Sequence, residues 1–87
     1  MKGMKADGIG ALAKSLAGHD KGEIFVIIRE DEEYVFLADG KGRSAGEPKR
    51  KNRKHIQVIY TDLDHKEKLA DEEIRRLIRC YKRESQV

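Results

Sequence analysis

Cysteine, proline and aromatic residues are scarce in this chain, and it contains no long apolar run. Its 87 residues include one Cys, one Pro and no Trp, and aromatic residues make up only 6%. The single cysteine, Cys80, cannot form an internal disulfide. The longest apolar run, residues 24–28, is far shorter than the roughly 18–20 residues of a membrane span. The first residues also lack the apolar stretch of a secretory signal, so we expect a cytoplasmic protein that does not enter a membrane.

The chain is rich in charge, but its charges nearly cancel. Charged residues make up 40%, and 19 basic against 16 acidic residues give a net charge of +3. Leu, Ile, Val and Phe total 20 of the 87 residues, above the roughly 20% below which disorder is expected. A chain of this length holds one modest core, which excludes a multidomain enzyme. We therefore expect one domain, residues 1–87, which is a monomer when free.

Most of the positive charge is concentrated in residues 41–55, KGRSAGEPKRKNRKH. This segment contains seven basic residues and one acid, whereas the other 72 residues carry a net charge of −3. Its glycines and Pro48 interrupt a helix, so the segment is predicted to be a loop. A concentrated positive loop binds polyanions by counterion release, although such runs also occur as solvated surface. Dispersal of these lysines and arginines, together with their neutralisation by the protein's own carboxylates, would end the case for polyanion binding by this segment.

Several short segments have the composition of β-strands. β-branched and aromatic residues dominate them, and turn residues such as Gly, Asp and Asn separate them. The predicted strands are residues 9–16, 23–30, 34–38 and 55–60. Short strands joined by tight turns predict a mainly β protein built as a small barrel.

The end of the chain predicts a helix over residues 71–84. Ile74, Leu77, Ile78 and Tyr81 form one apolar stripe at helical spacing, and Asp71 is a suitable N-cap. Strand 23–30 has apolar residues on both faces, so something must cover its second face. We expect the helical stripe to do so.

Residues 10–28, GALAKSLAGHDKGEIFVII, resemble the KOW motif, a strand–turn–strand unit with a fixed glycine, here Gly22. Residues 35–57, VFLADGKGRSAGEPKRKNRKHIQ, are similar to a signature of KOW-containing RNA-binding proteins grouped with archaeal and eukaryotic large-subunit ribosomal proteins. This family includes small stand-alone bacterial members. The resemblance covers residues 8–60. His19, where Arg is common, Gly42, where a larger apolar residue is usual, and Ala13, where Val is expected, depart from the pattern.

The resemblance implies an SH3-like barrel that binds RNA, usually ribosomal RNA of the large subunit, with ribosomal proteins as further partners. From the residues alone, Gly22 suits a turn with positive φ, exposed backbone N–H groups of that turn suit phosphate oxygens, and the basic side chains suit phosphates. Together these give the candidate RNA-binding residues Gly18, His19, Asp20, Lys21, Gly22, Lys41, Arg43, Lys49, Arg50, Lys51, Arg53, Lys54 and His55.

No catalytic or metal-binding pattern is evident. His19, His55, His65 and Cys80 are too scattered for a zinc site, and Asp20 and Asp39 are turn aspartates. We therefore expect a non-enzymatic protein without a metal or cofactor. The alternative function is a KOW-type protein-interaction module of the transcription or translation machinery, with an exposed apolar groove and the acidic turn 30–33 as features for a protein partner.

Two further side-chain sets leave alternatives open. Phe25, Phe36 and Tyr81 are expected in the core, which leaves Tyr34 and Tyr60 as the candidates for stacking on RNA bases. The helix also carries five basic residues, which form either a second RNA contact or a solvated face paired with Glu72 and Glu73. These five are Arg75, Arg76, Arg79, Lys82 and Arg83.

Overall fold

A computed structural model describes residues 10–59 and 70–85 of the chain. In these residues it contains β1 (Leu12–Ser15), β2 (Ile24–Glu30), β3 (Tyr34–Ala38), β4 (Lys49–Asn52), the 3₁₀ helix Arg53–His55, β5 (Ile56–Ile59) and α1 (Asp71–Ser85). The prediction of a mainly β protein with a C-terminal helix is confirmed. Residue 9, Tyr60 and most of the connection to the helix, residues 61–69, lie outside the described residues.

The five strands form one antiparallel sheet in the order β4-β3-β2-β1-β5. The edge strands β4 and β5 are joined by only a three-residue 3₁₀ helix. A chain covers at most about 14 Å over that distance, whereas the edges of a flat five-stranded sheet lie about 19 Å apart. The sheet must therefore curl. No ladder joins β4 to β5 in the described residues, so the sheet is curled and open rather than a closed barrel.

The concave face of the sheet holds one apolar cluster. Ala13, Phe25, Ile27, Val35, Leu37 and Ile56 are buried there, and Val58 packs against them. These side chains come from four of the five strands, so curling of the sheet buries them without a second layer. The prediction that Phe25 belongs to the core is confirmed.

Helix α1 covers the opposite, convex face. Its side chains Ile74, Leu77 and Ile78 form a second cluster with the sheet, and Tyr81 packs at the margin. The sheet residues in this cluster are Leu12, Ile24, Val26 and Ala38. The predicted coverage of the second face of β2 by the helical stripe is thus confirmed. Packing of a 15-residue amphipathic helix on an apolar strand stabilises both, because neither could bury its apolar side alone.

The start of α1 differs from the prediction. The first intrahelical bond runs from the Ile74 N–H to the Ala70 carbonyl, so Ala70 rather than Asp71 occupies the N-cap position. The Asp71 carboxylate instead accepts a hydrogen bond of 2.6 Å from the backbone N–H of Ala45. Asp71 therefore attaches the long loop between β3 and β4 to the beginning of the helix.

Candidate nucleic-acid interface

The strand order places the candidate residues at two opposite ends of the sheet. Residues 16–23, which join β1 to β2, and residues 39–48, which join β3 to β4, lie at one end, which we call the turn end. Residues 31–33, which join β2 to β3, lie at the other, which we call the connector end.

The 3₁₀ helix runs between the two ends: its Arg53 N–H donates to the Glu33 carbonyl at the connector end, and its His55 carbonyl accepts from the Leu16 N–H at the turn end. Antiparallel pairing puts the connections β1–β2, β2–β3 and β3–β4 at alternate ends, whereas the edge strands β4 and β5 run in the same direction, so their connection spans the sheet from one end to the other.

The prediction that residues 41–55 form one positive loop is wrong. Residues 39–48 are a loop, but β4 follows it and pairs along its length with β3, and the 3₁₀ helix completes the segment. Side chains of a strand alternate between faces, so β4 directs Lys49 and Lys51 to the side of Leu37 and Val35, and Arg50 to the side of Phe36. The basic run is therefore dispersed over two faces and two ends.

The Asp20 carboxylate binds both inward-facing lysines of β4. Its Oδ2 forms an ion pair with Lys49 Nζ, and its Oδ1 lies 2.7 Å from Lys51 Nζ. The Lys51 ammonium also donates to the Ser15 hydroxyl and to the Ala17 carbonyl, each at 3.0 Å. All three of its N–H donors are thus used, and the side chain is only 10% exposed. Lys51 is a structural residue rather than a free phosphate ligand.

The protonation of Asp20 reflects these partners. Burial alone raises its pKa, but the hydrogen bonds from Lys49, Lys51 and Ser15 outweigh burial and hold the pKa well below its ordinary value. The Ser15 hydroxyl lies 2.7 Å from Asp20 Oδ1 and is buried. Because two lysines share one carboxylate, the Asp20, Lys49 and Lys51 side chains together keep a net charge of +1. Lys49 is the more exposed of the two lysines, with 31% of its side chain accessible.

Arg53 is also bound by the protein itself. Its guanidinium forms an ion pair of 2.9 Å with Glu30 and donates from Nε to the Asp31 carbonyl at 2.9 Å. Its backbone N–H bonds to the Glu33 carbonyl. Arg53 therefore holds the beginning of the 3₁₀ helix against the acidic turn at the connector end. Lys54 and His55 beside it are exposed.

Arg50 points outward and stacks on Tyr34. The guanidinium carbon lies 4.6 Å from the centre of the Tyr34 ring, and Arg29 lies 5.1 Å from the centre of the Phe36 ring. The prediction that Phe36 belongs to the core is wrong, because Phe36 is half-buried and belongs to neither apolar cluster. It shares the convex face with Ala38 but lies beyond the apolar cluster that α1 covers. Tyr60, the other stacking candidate, lies outside the described residues.

The turn of residues 18–22 is positioned as expected but uses its backbone donors internally. Gly18 and Gly22 both have positive φ, of 89° and 91°. The N–H groups of Lys21 and Gly22 donate to the Gly18 and Ser15 carbonyls, so they do not point out to solvent as phosphate ligands. The exposed side chains that this turn offers are those of His19 and Lys21.

The loop after β3 begins with a tight turn over residues 39–43. Asp39 Oδ1 accepts hydrogen bonds from the backbone N–H groups of Lys41 and Arg43, at 2.9 and 3.0 Å. Such an Asx turn fixes the backbone and leaves the Lys41 and Arg43 side chains exposed. Neither side chain forms an ion pair with a carboxylate in the part of the chain that the structure describes.

A groove of about 320 Å³ lies between α1 and the turn end. Asp39 and Glu23 line it beside Ile24 and Ile78, and the remaining lining residues are all basic: Lys41, Arg75, Arg79, Lys82 and Arg83. The four helix cations recur at positions i, i+4, i+7 and i+8, so a single helix face presents them. This spacing is visible in the sequence and could have identified them as one surface. No ion pair between Glu72 or Glu73 and these arginines occurs among the described residues.

Comparison with the models of known protein families and with curated protein sequences finds no match to this chain. Among residues 10–59 and 70–85, no three histidine, cysteine or acidic side chains gather in a way that could hold a metal ion. The same residues contain no helix with the length and apolar character needed to cross a bilayer.

Proposed function

We propose that this protein is a non-enzymatic, cytoplasmic RNA-binding protein that contacts the RNA backbone with its turn end. The resemblance of residues 8–60 to the KOW-containing ribosomal proteins supports ribosomal RNA of the large subunit as the target. The proposed contacts are the exposed side chains of Lys21, Lys41 and Arg43, the half-buried Lys49, and the basic residues of α1 that border the groove.

The separation of charge between the two ends carries this proposal. The turn-end loops contain three basic and four acidic residues, but Lys49, Lys51 and the four helix cations of the groove, less Asp71 bound to the loop, bring that end to +4. At the connector end, residues 30–33 contain four acidic residues, and Arg53, which binds them, leaves a charge of −3. A polyanion is attracted to the first end and repelled by the second, which fixes how it approaches.

The side chains available at the turn end favour recognition of structured RNA by its backbone. The exposed groups there are mainly lysine and arginine, which bind phosphates, and among the described residues no aromatic side chain lines the groove. Double-stranded RNA is recognised largely by shape and by backbone contacts, because its deep groove is inaccessible to side chains. The protein therefore suits a folded RNA better than an unstructured strand.

A salt titration with ribosomal RNA tests the proposal. Each phosphate contact steepens the dependence of log K on log salt by roughly 0.7–0.9, so about four contacts give a slope near −3. Arg43→Gln should weaken binding several-fold and flatten the slope by nearly one contact. Lys54→Gln removes the same charge from the exposed surface of the 3₁₀ helix, outside the proposed contacts, and should change neither value. An RNA affinity that does not change with salt concentration, or an equal loss of affinity in the two variants, would contradict the proposal.

A protein-interaction module is the second candidate, and the exposed acidic turn at the connector end favours it. Asp31, Glu32 and Glu33 are exposed and suit a basic partner. Residues 10–59 and 70–85 do not form the expected apolar groove, since Leu16, 42% exposed, is their one exposed large apolar side chain. Co-sedimentation separates the candidates: salt-dependent release from ribosomes supports RNA binding, whereas ribosome-independent capture of one protein supports the alternative.

A further inference from the structure

We infer that the groove between α1 and the turn end is a binding site for a nucleotide phosphomonoester. Such a group is carried either by the terminal nucleotide of an RNA strand or by a free mononucleotide. Binding of a terminal RNA nucleotide rests on the proposed RNA-binding function, whereas binding of a free mononucleotide does not. It makes the groove a defined site within the wider cationic surface.

The charge of the groove favours a phosphate with two negative charges. Five basic and two acidic side chains line it, which gives the lining a charge of +3. A phosphomonoester carries about −1.5 to −2 at pH 7, whereas an internal phosphodiester carries a single charge. Lys41, Arg79 and Arg83 form no ion pair with any carboxylate of the described residues, so an incoming phosphate does not have to displace one.

The size of the groove excludes a duplex and admits one nucleotide. Its volume of about 320 Å³ lies at the lower end of the roughly 300–1,000 Å³ of small-molecule sites. Ile24 and Ile78 supply the apolar part of its lining, which suits the ribose or base attached to the phosphate. The site therefore selects a nucleotide over inorganic phosphate.

Two contacts fix the wall of the groove before any ligand binds. The Arg75 guanidinium donates to the Gly40 carbonyl, and the Ala45 N–H donates to Asp71. Both join the loop of residues 39–48 to the first turns of α1, so Lys41 is held opposite the helix arginines. A site formed in advance loses less conformational entropy when it binds its ligand.

Calorimetric titration with short RNA strands of one sequence tests the inference. The strands carry a 5′-phosphate, a 3′-phosphate or hydroxyl groups at both ends. One of the phosphorylated strands should bind roughly tenfold more tightly than the hydroxyl strand, as the gain of charged hydrogen bonds requires. Arg79→Gln should abolish this preference. Arg76→Gln, which removes an exposed helix arginine outside the groove lining, should preserve it.

Titrations with adenosine monophosphate and with adenosine test the free nucleotide as the ligand. The monophosphate should shift the backbone amide NMR signals of residues 39–41 and 75–83, and adenosine should not. Shifts with the monophosphate but equal affinity for all three strands would support the site with a free nucleotide as its ligand.

If RNA binds with the expected salt dependence but neither titration shows a phosphate preference, the inference is overturned and the RNA proposal stands. If no RNA binds but the monophosphate shifts these signals, the RNA proposal fails and the site stands. Both Arg variants should melt at the temperature of the unaltered protein, which excludes unfolding as a cause.

Discussion

The Gly40 carbonyl accepts a hydrogen bond from the guanidinium of Arg75, where the turn after β3 meets α1. The approach is so close that a Cβ on residue 40 would lie 2.6 Å from Arg75 Cγ and 2.6 Å from the Asp71 carbonyl oxygen. Gly40 also has a φ of 81°, which side chains rarely allow. This contact joins the sheet to the helix and holds Lys41 at the groove.

Gly40→Ala should therefore destabilise the protein markedly. Positive φ costs a non-glycine residue about 1–2 kcal/mol, and the forced separation of the helix adds about 1–3 kcal/mol, so we expect a loss of about 2–5 kcal/mol. Urea unfolding measures it. Gly42→Ala is the matched control, because nothing lies within 4 Å of a Cβ at residue 42. A similar stability for both variants would show that the Gly40 approach is not tight.

The apolar part of the fold could be predicted from local sequence. Apolar residues on both faces of β2 require a partner on each side, and the stripe containing Ile74 and Ile78 is the one remaining apolar surface of the right length. The half-buried position of Phe36 outside both apolar clusters could not be predicted in this way. It shares the face of Ala38 by simple alternation, but a register shift between Ile27 and Arg29 sets Arg29 rather than Ile28 opposite it, and sequence alternation does not reveal that shift.

The structure of the basic segment could not be predicted in the same way. Strand β4, KRKN, has no apolar alternation, and the glycines and proline before it dominate the local signal. Its inward lysines are stabilised by Asp20, about thirty residues earlier in the chain, which no local pattern indicates. Lysines on an edge strand also discourage pairing with another sheet, a structural role that needs no ligand.

Asp20→Asn should destabilise the fold although Asp20 lies in a turn. The change leaves the largely buried ammonium of Lys51 without a counter-charge, and breaking such a pair costs about 3 kcal/mol. Thermal or urea unfolding at pH 7 measures the loss. Glu47→Gln, an exposed acid of the same end, should leave stability unchanged. Combining Asp20→Asn with Lys51→Met should recover part of the loss, because the unpaired charge is then removed.

Stability should fall when the solution is acidified below the ordinary pKa of an aspartate. The pKa of Asp20 is depressed in the folded protein by Lys49, Lys51 and Ser15, against the opposing effect of burial. The pKa of Asp31 is lowered by hydrogen bonds from the Tyr34 and Glu33 N–H groups and by the charge of Arg53. A depressed folded pKa gives stability that is complete above the unfolded pKa and is lost as the pH falls toward the folded value.

The pH dependence can be assigned to Asp20 by comparing urea midpoints at pH 7, 5, 4 and 3. The unaltered protein should hold its midpoint from pH 7 to 5 and lose stability between about pH 4 and 3. Asp20→Asn should start lower and decline less over the acidic interval, with Asp31 accounting for part of the remaining slope. Parallel declines in the two proteins would show that Asp20 is not the group responsible.

Substitution of all four basic residues at positions 49, 50, 51 and 53 should unfold or strongly destabilise the protein. If these residues belonged to a solvated loop, the change would abolish RNA binding and leave the melting temperature unchanged. The structure reverses that expectation for stability, because Lys51 saturates its donors within the fold and Arg53 secures the acidic turn. Loss of RNA binding in this variant would therefore not identify a binding surface.

The informative comparison is a double substitution at the turn end. Lys21→Gln with Arg43→Gln removes two exposed charges that form no ion pair within the described residues, so the melting temperature should move by no more than a few degrees. RNA affinity should fall, and the salt slope should flatten by about two contacts. Circular dichroism melts and binding titrations on both variants distinguish the effects. A large loss of stability in the double variant, or unchanged RNA affinity in a folded one, would remove these two side chains from the interface.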